Sequence, residues 1–188
     1  MAITLQTLIT EAADYIKADV DDDDFSVVET RLISALNEAK NIIAQRTRLT
    51  TSENVTLDDN SCFDVADLTK TFWGLVGVTV DGGKISTQEQ NGLIWCGASP
   101  LETVTVEYEE IPADMTATTD TYPLPDSVSW RLLCYYAAAR YYMVKGTATS
   151  LNKYRFWQNE FENGVNSLRG GGKMARRRVK VTYIIGDC

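Results

Sequence analysis

YPLPDSVSWRLLCYYAAARYYMVKG, residues 122 to 146, opens on a Pro-x-Pro helix start and closes on a glycine suited to the left-handed position after a helix. The spacing predicts a helix of roughly five turns over residues 126–145. Val128, Leu132, Tyr135, Ala139 and Tyr142 form one apolar stripe, and Trp130, Leu133, Cys134, Ala137 and Tyr141 form a second on another face. A helix apolar on two faces needs cover on both. Its own chain can bury one. A neighbouring subunit supplies the other most simply, which assigns Trp130, Leu133, Ala137 and Tyr141 to a subunit interface. The alternative is a central helix whose second face is covered by the chain's own β-rich segment.

Upstream, Leu5, Leu8, Ile9, Ala12 and Ile16 recur at three and four residues and predict a helix over 4–18. An acidic run follows, in which Asp21, Asp22, Asp23 and Asp24 form an acidic surface. Ser26-x-x-Glu29 is a capping-box pattern, and Val28, Leu32, Ala35, Leu36, Ala39, Ile42 and Ile43 carry one apolar face to about Arg46. From Thr47 to Tyr122 the texture changes to short alternating runs, with Asp81-Gly82-Gly83 as a hairpin signal and TVTVEYEEI showing a period of two. A fourth helix is predicted over 150–168, with Leu151, Tyr154, Trp157, Phe161, Val165 and Leu168 on one face. Gly170-Gly171-Gly172 then reads as a flexible joint.

The resulting expectation is an α+β protein. A helical core of about four helices, residues 1–47 and 123–169, carries a β-rich insertion over 48–122 between its second and third helices. Residues 170–188 form an extended C-terminal arm.

The chain has 188 residues, enough for one domain with a sizeable core. Hydrophobic content of 44% and charged content of 23% argue against disorder. A net charge of −8 disfavours nucleic acid and anionic membranes as sticking partners. The longest apolar run of the third helix, Leu132 to Ala139, is far short of the ~20 residues that span a bilayer. The N-terminus lacks the basic and apolar regions of a secretory signal.

Histidine is absent, which removes the Ser-His-Asp and Cys-His arrangements and the commonest metal ligand. No phosphate-cradling glycine motif opens a helix. The four cysteines, at 62, 96, 134 and 188, form no C-x-x-C pair and suggest neither a zinc site nor a disulfide framework. Asp19, Asp21 and Asp23 imitate the start of a calcium loop, but Asp24 stands where glycine is needed and Thr30 where the bidentate glutamate belongs. The expectation is a protein with no catalytic residues, no metal and no cofactor.

Lys173, Arg176, Arg177, Arg178 and Lys180 run into Val179, Val181, Tyr183, Ile184 and Ile185, which alternate like a strand seeking a sheet edge. The segment can be read as a nucleic-acid patch, a solubilising tail or a docking arm. Without interleaved aromatics for base stacking, a docking arm for an acidic protein surface fits best.

Taken in order, LQTLITEAADYI, the acidic loop and VVETRLISALNEAKNIIAQRT, then VTVEYEEIPADMTATTDTYPLPDSVSWRLLCYYAAARYYMVKG and NKYRFWQNEFENGVNSLR, resemble the head–tail connector proteins (adaptor, or head-completion proteins) of tailed bacteriophages. The resemblance covers about residues 3 to 169, and the basic and apolar tail after Leu168 does not align with it. It implies a virion structural protein made in the host cytoplasm and placed at the neck between capsid and tail. There it would form a homo-oligomeric ring, twelvefold in the family, beneath the portal protein. It would touch tail or neck proteins and pass DNA non-specifically through its lumen, with no membrane involved. The other readings are a different neck or tail-completion protein, which would differ in ring symmetry, and a small cytoplasmic protein-binding module, which would be a monomer or dimer.

Overall fold

The computed structural model of the chain describes residues 2–16 and 25–171. Its elements run α1 (Leu5–Ile16), α2 (Phe25–Thr47), β1 (Thr50–Thr56), β2 (Cys62–Asp64), a 3₁₀ turn (Val65–Asp67), β3 (Thr71–Val80), β4 (Gly83–Lys84), β5 (Thr87–Gln90), β6 (Leu93–Cys96), β7 (Thr103–Ile111), α3 (Arg131–Lys145) and α4 (Ala148–Gly171). Among the described residues this is an α+β architecture of four helices and antiparallel sheets, as the two periodicities predict.

The helices share one apolar core, in which Leu8 and Ile9 of α1, Leu36 and Ile43 of α2, Leu133 and Ala138 of α3, and Phe161 and Val165 of α4 meet. The strands build a second core around Phe63, Val78, Ile94, Val104, Val106 and Tyr108. They form a four-stranded sheet in the order β1-β7-β3-β4 and a three-stranded sheet in the order β2-β6-β5. Two hairpins are closed by two-residue turns with positive φ at both positions, Asp81-Gly82 and Asn91-Gly92, the backbone that matches the twist of the strands.

Helix α3 begins at Arg131 instead of 126. The Tyr122 hydroxyl donates to the Val128 carbonyl at 2.9 Å, and the Val128 N–H donates to the Pro125 carbonyl, so residues 125–128 close a turn of their own before the helical ladder starts. At the other end Gly146 takes the left-handed conformation at φ 65°, as expected. Helix α4 runs on through Gly171, past the expected end at Leu168 and into the first two of the three glycines.

The two faces of α3 are both covered within the chain, and by helices instead of by the β-rich segment. Leu132, Tyr136, Ala139 and Tyr142 are buried, and so are Leu133, Cys134 and Ala137 of the second stripe. The Cys134 thiol reaches the Leu8 carbonyl of α1 at 3.6 Å. Its burial pushes the thiol pKa far up, as for an inert core cysteine. Periodicity shows that a face is buried, and the partners that meet it here are α1 at Cys134 and α2 at Ala137.

Gly164 sets the closeness of α3 and α4. A Cβ placed on it would stand 2.1 Å from Leu132 Cδ2 and 3.3 Å from its Cγ. Gly164→Val is expected to destabilise the fold by about 2 kcal/mol, because overpacking outweighs the gain in helix propensity. Urea unfolding measures it, and combining the change with Leu132→Ala should cost less than the two single losses together.

Candidate interaction surfaces

The joint between helices and sheets is built by two polar residues on α2. Asn37 clamps Met115 both ways: its Nδ2 donates to the Met115 carbonyl at 2.9 Å, and the Met115 N–H donates to its Oδ1 at 2.9 Å. One turn on, Lys40 is 0% exposed and donates to the carbonyls of Pro112 at 2.6 Å and Ala113 at 2.9 Å and to Asp114 Oδ1 at 2.7 Å. The chain leaving β7 is thereby strapped along α2. It then pairs with the start of the chain, Leu5 N–H on the Asp120 carbonyl and Tyr122 N–H on the Ile3 carbonyl, both at 2.8 Å. Asp120 braces this return by accepting from the N–H groups of Thr116 and Ala117, which hold its carboxyl below the usual range.

Beyond this joint, three surfaces carry apolar groups exposed to water. The first is a groove of about 550 Å³ between the first turns of α2 and the last turns of α3. The apolar stripe of α2 is wider there than its neighbours cover. Ala35 and Ala137 are too small to fill the space between the helices, and Val28 and Val144, the latter 73% exposed, flank it. Among the described residues, Arg31, Arg140 and Lys145 line its edge with one carboxylate, Glu38, which pairs with Arg140 at 3.3 Å. The ammonium of Lys145 lies 4.9 Å from the centre of the Tyr141 ring.

The second surface lies on β3. Its register against β7 slips twice, between Phe72 and Gly74 and between Leu75 and Gly77, which leaves Trp73 and Val76 as the extra residues of two β-bulges. Bulges re-aim side chains, and here they present a tryptophan 55% exposed and a valine 41% exposed. No atom comes within 4 Å of a Cβ built on Gly74. Across the ladder, Gly74 faces Glu109 and Gly77 faces Glu107. Sequence reading missed these residues, although the glycines after Trp73 and Val76, three apart in a strand, are the usual mark of bulges.

The third is an aromatic stack where α1, α3 and α4 meet. Trp157 lies 4.7 Å from Tyr15 and 5.5 Å from Tyr135, centre to centre, and the exposed Phe156 meets its edge. The Tyr15 hydroxyl donates to Glu11 at 2.7 Å, and burial beside that carboxylate drives its pKa well up.

The residues assigned to a subunit interface divide between inside and outside. Leu133 and Ala137 are core residues, with only the edge of Ala137 reaching the groove. Trp130 and Tyr141 remain half-buried, Trp130 beneath the guanidinium of Arg131 at 5.3 Å and Tyr141 on the groove wall. The acidic run Asp21–Asp24 and the docking arm of Lys173, Arg176, Arg177, Arg178, Lys180, Tyr183, Ile184 and Ile185 lie outside the described residues. Among the described residues, no group of three or more acidic or cysteine side chains is placed to hold a metal ion, and no helix is long and apolar enough to cross a membrane. Cys62, Cys96 and Cys134 are buried free thiols.

A family model described as SU10 adaptor protein matches residues 3–182. The match takes in all four helices, both sheets and the chain beyond Leu168 as far as 182, so part of the arm shares the family pattern that the sequence resemblance did not reach. No curated protein matches the chain.

Proposed function

Since the chain belongs to the SU10 adaptor protein family, we propose that it forms a closed ring at the neck of the particle, joins the portal to the tail, and lets DNA pass through its lumen. A member of this family is a structural phage protein, located in the virion and acting through contacts with other virion proteins. The observation that carries the finer reading is the extent of the match, over nearly the whole chain, together with the element order that resembles head–tail connectors.

Physical features support it. The apolar surfaces on the α2–α3 groove and on β3 differ from each other, and two different surfaces per subunit are what a head-to-tail ring needs. Residues 48–122 carry thirteen carboxylates and three cations. Such a surface repels phosphates and lets a duplex slide instead of stick. Assembly of particles without this chain tests the reading. DNA-filled capsids without attached tails are expected, and normally tailed particles would contradict it.

A further inference from the structure

Resting on the ring reading above, we propose that Trp73 and Val76 of one copy dock into the α2–α3 groove of the next copy, making the contact that repeats around the ring. The two surfaces complement each other in shape. One is a pair of apolar side chains pushed outward by bulges, and the other is an open groove of about 550 Å³ whose buried lining residues are Leu32, Ala35 and Ala137. They also complement each other in charge. The bulged strand lies beside Glu107 and Glu109, while the described residues that edge the groove include Arg31, Arg140 and Lys145 and one carboxylate, Glu38. Glu109 approaches Arg48 of its own chain only at 3.7 Å, and Arg48 is largely exposed.

Within one subunit this contact is not made. Neither Trp73 nor Val76 lines the groove of its own subunit, and both are exposed there. The contact therefore joins β3 of one subunit to the α2–α3 groove of another. That is a heterologous contact, which closes into a ring when the rotation between copies allows it. A tryptophan seated in a desolvated groove with charges at the edge is also the arrangement that concentrates binding energy, the charges acting on encounter and orientation.

The test places cysteines at Val76→Cys and Val144→Cys in a Cys188→Ser background, keeping Trp73 in place. The remaining thiols, Cys62, Cys96 and Cys134, are buried. Under mild oxidation the double variant should give a ladder of covalently linked subunits ending at the ring size. Chains carrying one site each should give linked pairs only when mixed. Separately, Trp73→Ala should weaken self-association at least tenfold in native mass spectrometry without changing the circular dichroism, since this side chain is largely exposed. Rings of the double variant with no 76–144 linkage, or rings unaffected by Trp73→Ala, would overturn this contact and leave the ring reading standing. A wild-type chain found as a monomer both in solution and in isolated necks would overturn both.

Discussion

Replacing Lys40 with methionine is expected to destabilise the subunit by about 3 kcal/mol, among the largest losses any single side chain of α2 can produce. Methionine fills much the same volume, so packing changes little. What disappears is an ammonium that is 0% exposed and serves three acceptors. Asp114, 63% exposed, recovers water, whereas the Pro112 and Ala113 carbonyls lose a charged donor, at about 1–3 kcal/mol for each that stays dry. The loss concentrates where the strap between sheet and bundle lies on α2. Hydrogen exchange at Met115, whose N–H is held by Asn37, should therefore rise more than exchange in the strands. Urea unfolding followed by tryptophan fluorescence measures the total. A loss below about 1 kcal/mol would show that the joint does not depend on this lysine.

Deleting residues 173–188 is expected to leave a folded subunit that no longer enters particles. Among the described residues, the helical core runs as far as Val165 and the adjoining Leu168, and the sheet core as far as Tyr108. The segment carries five cations and one acid and ends in Val179, Val181, Tyr183, Ile184 and Ile185, a composition suited to adding a strand to another protein's sheet edge. As part of the proposed function, main-chain pairing and the two isoleucines supply affinity, and Arg176, Arg177 and Arg178 supply encounter with an acidic surface. Circular dichroism of the truncated chain should match the full chain while its incorporation falls to background. Normal incorporation would reject the arm as a docking element, and unfolding would place it in the core.

The helices were legible because each buries a stripe that repeats every three or four residues, and the strands because Val104, Val106 and Tyr108 alternate with polar neighbours. The start of α3 was not, since it depends on where the Tyr122 hydroxyl finds a carbonyl, which no local pattern encodes. Its second stripe was legible as buried but not as met by α1 at Cys134 and by α2 at Ala137, because periodicity carries no information about the partner. Lys40 could have been noticed as a lysine between Leu36 and Ile43 on an apolar face, the sign of a buried cation with fixed acceptors. Trp73 and Val76 escaped because a bulge breaks the period of two on which strand reading relies. The groove escaped because small alanines read as core filling, while only the packed helices show that Ala35 and Ala137 leave a space.

The most direct measurement is a cryo-electron micrograph reconstruction of the virion neck at a resolution that traces side chains. The account predicts this chain as a closed ring between portal and tail, its lumen wide enough for duplex DNA, with Trp73 of each copy seated between α2 and α3 of the next. Finding the chain outside the neck, or in the neck as isolated copies that do not close around the channel, would contradict it.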